Sequence, residues 1–165
     1  RTEQITAAEA SQTLTDWLES QPLDNPPAEL FELAGALPAD GDRANLYQTL
    51  LAQRPDDLWL RWRTIELLAL TDPAAAQTEL TALIAANPDN LTVYFFQGEL
   101  AQRQGDLPLA TTAYQQILER EPENLGALAA LAGVQFQQGN LTAARALYDQ
   151  VLALEPDYWE ARYAI

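Results

Sequence analysis

The sequence predicts an all-α protein, a right-handed solenoid of stacked antiparallel helix pairs. The first observation behind this prediction is a set of prolines that recur every 33 or 34 residues, because such an internal period is typical of helical repeats. They are Pro22, Pro55, Pro88, Pro122 and Pro156. The second is a near-duplication: GDLPLATTAYQQILEREPEN (105–124) is followed by GNLTAARALYDQVLALEPDY (139–158). The third is that signals for helix starts and ends recur in phase with the prolines.

The stretch from Asn90 to Pro122 shows how each unit builds two helices. Asn90 is a suitable cap for a first helix over 91–104, and Gly105 can end that helix in the left-handed conformation. Asp106 then caps a second helix, and Pro108 lies in its first turn, where a missing N–H does no harm. Pro122 closes the unit, because the residue before a proline is pushed out of the helical region.

The other units carry the same signals. Caps are predicted at Asp57, Asn124 and Asn140, and a tight turn is predicted at the TDP sequence of residues 71–73. Capping also explains why the glycosylation-like pattern NLT occurs at Asn90 and at Asn140. Each second helix has an apolar stripe at helical spacing. The predicted stripes are Ala76, Leu80 and Leu83; Ala110, Tyr114, Ile117 and Leu118; and Ala144, Tyr148 and Val151.

These residues resemble the tetratricopeptide repeat family. The signature positions are met by Tyr94, Gly98, Ala110, Tyr114 and Pro122 in one unit, and by Leu128, Leu131, Ala132, Ala144, Tyr148 and Pro156 in the next. Departures from the pattern are Gln97, Ala101 and Arg43, and Ala132 replaces a glycine. The unit that contains Trp59 and Trp62 is one residue short, which leaves the register of these tryptophans open by one residue.

The resemblance implies a single repeat array over residues 1–165. We expect partial units at 1–23 and 159–165, and complete units at 24–57, 58–90, 91–124 and 125–158. Because both ends stop within a unit, we expect the chain to be a fragment of a longer array.

The composition limits the classes of function. The chain has 24 acidic residues, nine basic residues that are all arginine, and a net charge of -15. This charge disfavours nucleic acids and anionic membrane surfaces, and it suits either a basic partner or solubility alone. No apolar stretch approaches the roughly 20 residues that insert in a membrane. We expect a soluble protein of the bacterial cytoplasm or periplasm.

Catalysis is not expected. Histidine and cysteine are absent, so the sequence offers no Ser–His or Cys–His nucleophile and no ordinary zinc site. Lysine is absent as well, which excludes a Schiff base. Paired carboxylates remain, but on helical repeats these are expected on solvated faces. We predict no catalytic residue, no cofactor and no metal site. The DGD sequence of residues 40–42 resembles part of a calcium loop, but we expect it to be a turn before a helix.

The resemblance also implies where a partner binds. In this family the fifth and ninth positions of the first helices line a concave groove. The fifth positions here are Ala28, Trp62, Phe95 and Ala129, and the ninth positions are Glu32, Glu66, Glu99 and Gly133. With neighbouring residues, the predicted groove comprises Glu32, Trp62, Glu66, Phe95, Glu99, Gln102, Arg103 and Phe136. Two alternatives stay open: Trp62 packs in the core, and the glutamates serve solubility.

The predicted function is a non-catalytic scaffold or adaptor that binds a partner protein or peptide in this acidic, aromatic groove. We expect partner side chains that are basic and apolar, since arginine both stacks on aromatic rings and pairs with carboxylates. A lysine-based carboxylate clamp is not expected, because the chain has no lysine. One alternative is a regulatory or targeting arm of a larger enzyme, secretion protein or complex-assembly protein. Another is self-association into a homo-oligomer through exposed repeat ends.

Overall fold

The computed structural model describes residues 41–164, and all of the regular elements in that range are α-helices. They are α1 (Gly41–Gln53), α2 (Leu58–Thr71), α3 (Pro73–Ala86), α4 (Leu91–Gln104), α5 (Leu107–Arg120), α6 (Leu125–Gln137), α7 (Leu141–Leu154) and α8 (Trp159–Ala164). The all-α prediction is confirmed for this part of the chain. Two compact units are present, one that ends at Ala76 and one that begins at Gln77. The predicted groove residues Ala28 and Glu32 lie outside the described residues.

Most of the predicted helix caps are confirmed. The Asp57, Asn90 and Asn124 side chains accept hydrogen bonds of 3.0–3.1 Å from backbone N–H groups in the first turns of α2, α4 and α6. Asp106 does the same for α5, with its carboxylate 3.1 Å from the Leu109 nitrogen. Each cap satisfies an N–H group that the helix itself leaves without a partner. Gly105 ends α4 with a φ of 79°, as its predicted left-handed conformation requires.

The predicted cap at Asn140 is wrong. Helix α7 does begin at Leu141, but the Asn140 side chain makes no capping hydrogen bond. Its Nδ2 instead donates to the side-chain oxygens of Gln135 and Gln138, at 2.9 and 3.2 Å. A cap would use the amide oxygen instead of this nitrogen; at Asn124 the nitrogen donates to Glu121 while the oxygen caps α6.

The residue missing from the short unit is missing at the predicted TDP turn. The Asp72 N–H ends α2 by donating to the Leu68 carbonyl oxygen at 2.7 Å, and the Asp72 carboxylate caps α3 by accepting from the Ala75 nitrogen at 2.9 Å. In the next unit these two tasks are divided between Gly105 and Asp106. The missing residue therefore follows α2, and Trp62 is the fifth residue of its helix, as Phe95 is of α4.

The core repeats at fixed positions of the helices. The predicted stripes occupy the fourth, eighth and eleventh residues of the second helices, with Leu118 as a twelfth. They are buried except for Tyr148 and Leu118, which are partly buried. The third residue of each first helix is buried as well. These third residues are Leu60, Val93, Ala127 and Ala161. In the second unit, α5 packs between α4 and α6, and α7 packs between α6 and α8. Each helix pair thus depends on its neighbour to cover its apolar side, as expected for a repeat array.

Candidate interaction surface

The compact unit that begins at Gln77 has a set of partly exposed positions on the first helices of its repeats. On α4 these are Phe95, Glu99 and Gln102, the fifth, ninth and twelfth residues, which helical geometry places on one side. The same positions of α6 hold Ala129, Gly133 and Phe136. We call these six residues the first-helix face. The two helices adjoin here, because the Cε2 atom of Phe95 lies 3.5 Å from the position that a Cβ would take on Gly126.

Phe95 forms the contact between three helices. Its ring packs edge-on against that of Tyr114 on α5, with 5.5 Å between the ring centroids and 61° between the planes. Its Cε2 and Cζ atoms lie over Gly126 on α6. Phe95 is therefore half-buried, and it can offer a partner only the part of its ring that faces solvent.

Tyr114 lies below this face and links it to the core. Its hydroxyl donates to the Gln102 Oε1 at 3.4 Å, a weak hydrogen bond. Burial raises the pKa of the Tyr114 phenol well above 10, the nearby Glu99 carboxylate raises it further, and Arg103 lowers it. The side chains of Glu99 and Arg103 thus place charges of opposite sign near the same hydroxyl, beside the first-helix face.

Trp62 belongs to the core, and its predicted place in an exposed groove is wrong. Only 1% of its surface is accessible to solvent. The physical reason is that α2 is covered on opposite sides. Leu60 and Trp62 are both buried although they lie about 200° apart around the helix axis. Of the two alternatives that the sequence left open for Trp62, packing in the core is the observed one.

Glu66 is occupied by an ion pair. Its Oε2 atom accepts from the Arg63 Nη1 at 2.6 Å, and only 10% of its side chain is exposed. The two residues also act on the phenol of Tyr47, whose pKa is raised by burial, lowered by Arg63 and Arg43, and raised by Glu66. Of the three glutamates in the predicted groove, Glu32 lies outside the described residues, Glu66 pairs with Arg63, and Glu99 is partly exposed.

Two aromatic residues near the end of the chain were missing from the predicted site. Trp159 and Tyr163 on α8 are 66% and 86% exposed, and their ring centroids lie 6.4 Å apart. Tyr163 is the fifth residue of α8, so it occupies the position of Phe95 in α4. Counting from the helix start would have included Tyr163 in the groove.

Within residues 41–164, no group of three or more histidine, cysteine, aspartate or glutamate side chains is arranged to hold a metal ion. No helix there has the length and apolar character that crossing a membrane requires.

Several solved structures share the fold of this chain. YrrB, described as a tetratricopeptide repeat protein with an unusual peptide-binding site, is 16% identical with a TM-score of 0.63, over 96% of this chain and 73% of that one. MamA from Desulfovibrio magneticus RS-1 is 22% identical with a TM-score of 0.59, over 93% and 88%. A tetratricopeptide repeat protein from Parabacteroides merdae is 15% identical with a TM-score of 0.60, over 96% and 57%. No curated protein sequence matches significantly.

The sequence also matches a model of a protein family. The tetratricopeptide repeat model matches residues 65–110 and 97–159, which together span more than half of the chain. Repeats of this kind are typical of protein–protein interaction scaffolds, which are generally non-catalytic. Together with the helix pairs and the repeated core positions, this match shows that the chain belongs to the tetratricopeptide repeat family.

Proposed function

We propose that this protein is a non-catalytic scaffold that binds a segment of a partner protein on the first-helix face. The observation that carries the proposal is the difference between the two kinds of helix. The stripes of the second helices pack in the core, whereas the first-helix face remains partly exposed. This face includes Phe136, of which 55% is accessible to solvent. Exposed aromatic side chains are frequent anchors of protein interfaces.

We further propose that the partner segment has both basic and apolar side chains. Glu99 lies one helical turn from Phe95, so an arginine of the partner can pair with the carboxylate while it stacks on the ring. The net charge of -15 favours the approach of a basic segment. Gln102 and Arg103 add hydrogen-bond donors to the same end of α4. Trp62 and Glu66 are not part of this proposed binding surface.

The test starts from a phage-displayed library of random 12-residue peptides selected on the purified protein. Synthetic copies of the enriched peptides are then measured by fluorescence anisotropy on wild-type protein and on Phe136→Ser. We expect Phe136→Ser to weaken binding about tenfold, as is usual for an interface anchor. Glu99→Gln should weaken the binding of those peptides that contain arginine.

Leu141→Ser is the matched control. Leu141 is 60% exposed, similar to Phe136, but it lies on the second helix α7. The control should bind the peptides like wild type. Equal losses in Phe136→Ser and Leu141→Ser, or no loss in either, would contradict the proposed surface.

Self-association is a second candidate function, because Trp159, Tyr163 and Leu154 are exposed on the neighbouring helices α7 and α8. Light scattering over a concentration series tests it directly. We expect a concentration-dependent increase in mass that is abolished when Trp159 and Tyr163 are both replaced by serine. A constant monomer mass would remove this candidate.

A further inference from the structure

Helix α6 differs from the other described helices in its lack of charge. Its sequence, LGALAALAGVQFQ, has no acidic or basic residue, whereas each of the other helices within residues 41–164 has at least one. This occurs in a chain with 24 acidic residues. The cores of protein interfaces are depleted in charge and enriched in aromatic residues, and α6 combines both properties where it contributes to the first-helix face.

The ninth position of α6 is open. A Cβ on Gly133 would meet only one neighbouring atom within 4 Å, the hydroxyl oxygen of Tyr148 at 3.9 Å. Phe136 follows three residues later and projects into solvent, and Ala129 precedes Gly133 by one turn. On α4 the same position carries the long side chain of Glu99. The absence of a side chain at Gly133 therefore leaves open space over the α6 backbone, between Ala129 and Phe136 on the same helix, and we call this open position the Gly133 notch.

We infer that the Gly133 notch takes a bulky, uncharged apolar side chain of the partner segment, such as leucine or phenylalanine. A charged side chain would lose water there without meeting an opposite charge on α6, which is costly. An apolar one would cover Phe136 and the exposed surface of Gly133. The inference rests on the proposed function and extends it: the partner places its apolar anchor on α6 and its basic side chain beside Glu99 on α4.

The experiment compares Gly133→Glu and Gly133→Leu with Leu141→Glu. The open space around Gly133 allows both side chains, and each replaces a glycine within a helix, so the variants should unfold at or above the wild-type temperature. Random 12-residue peptides on phage are selected in parallel on wild type, Gly133→Glu and Leu141→Glu. We expect wild type and Leu141→Glu to enrich peptides with a bulky apolar residue, and Gly133→Glu not to enrich them.

Synthetic peptides then test the contact itself. Their affinity should fall at least tenfold on Gly133→Glu and Gly133→Leu. It should fall by a similar factor on wild type when the peptide's apolar residue is changed to asparagine. The two changes together should cost little more than either alone, since they remove the same contact.

Two results would overturn the inference, and they differ in what they leave standing. Peptides that lose affinity with Phe136→Ser or Glu99→Gln, but bind Gly133→Glu like wild type, would remove the apolar anchor and leave the scaffold proposal intact. If no peptide is enriched on wild type, or if only Leu141→Glu weakens binding, both the inference and the proposed function fail.

Discussion

The ring of Tyr114 lies against the backbone of Gly98. A Cβ on Gly98 would be 2.5 Å from both Cε1 and Cζ of Tyr114, a separation that real side chains do not show. Both residues are buried, so the ring has no solvent-filled space into which it can move. The equivalent residue of α6 is Ala132, and there the matching tyrosine, Tyr148, is only half-buried. The tyrosine is therefore fully buried where the residue opposite it is glycine, and half-buried where that residue is alanine.

Replacing Gly98 by alanine should destabilise the protein. The added methyl group must displace the Tyr114 ring, and overpacking of this kind costs about 1–3 kcal/mol. The higher helix propensity of alanine returns up to about 1 kcal/mol, so we expect a net loss of about 1–2 kcal/mol. Urea unfolding followed by circular dichroism measures it.

Gly126→Ala is the matched control for this prediction. A Cβ on Gly126 would lie 3.5 Å from Phe95, an ordinary contact distance. Without a clash, the gain in helix propensity should leave the protein as stable as wild type or more stable by up to about 1 kcal/mol. Similar losses of stability in both variants would show that the Gly98–Tyr114 contact is not the cause.

The protein should lose stability above pH 10, and Tyr114 should be part of the reason. Burial raises the pKa of its phenol in the folded state, whereas the unfolded chain has the ordinary value near 10. Above that pH the unfolded state has released a proton that the folded state still holds. The free energy of unfolding then falls as pH rises, by up to about 1.4 kcal/mol per pH unit for one such group.

Tyr114→Phe isolates this contribution. Its stability should fall less steeply than that of wild type between pH 10 and 12, because the variant lacks one phenol with a raised pKa. Below pH 9 the two proteins should differ little, since the hydrogen bond to Gln102 is long at 3.4 Å. Identical pH profiles would mean that Tyr114 ionises without a shift.

The helix caps should differ in importance. The carboxylate of Asp106 accepts from the Leu109 nitrogen, whereas Asn140 makes no capping hydrogen bond. Asp106→Ala should therefore cost about 1 kcal/mol, and Asn140→Ala clearly less. Thermal unfolding of the two variants side by side checks this order, and the reverse order would refute the described geometry of Asn140.

Arg120 joins the end of α5 to the turn before α4. Its Nη1 atom donates to the Pro88 carbonyl oxygen at 3.0 Å, and its guanidinium lies 5.2 Å from the centre of the Tyr94 ring. The Tyr94 hydroxyl donates to the same carbonyl oxygen at 2.8 Å. Arg120→Gln should lower the free energy of unfolding by about 1–2 kcal/mol, the sum expected for an exposed cation–π contact and a hydrogen bond.

Arg145 provides the comparison for Arg120, because it is exposed on α7. Arg145→Gln makes the same change of charge and should leave the free energy of unfolding within about 0.5 kcal/mol of wild type. If both variants lost the same stability, the effect would come from net charge and not from the contacts of Arg120.

Much of the fold followed from local signals in the sequence. The caps at Asn90 and Asp106, the turn at Gly105 and the stripe of Ala110, Tyr114 and Ile117 were predictable. Each depends on residues within a few positions of one another, and the same solution is repeated along the chain. The exception is Asn140, which precedes α7 as predicted but makes no capping hydrogen bond with its side chain.

The candidate site was less predictable, because exposure is a property of the packed array. The sequence by itself determined which residues stand at the fifth and ninth positions of the first helices. Only the tertiary structure decided that Trp62 is buried while Phe95 is half-buried, although both are fifth residues. The ion pair between Arg63 and Glu66, in contrast, joins residues three apart on α2, a spacing that the sequence itself contains. Register and pairs within one helix depend on neighbours in sequence, whereas burial depends on neighbours in space, and these differ from one unit to the next.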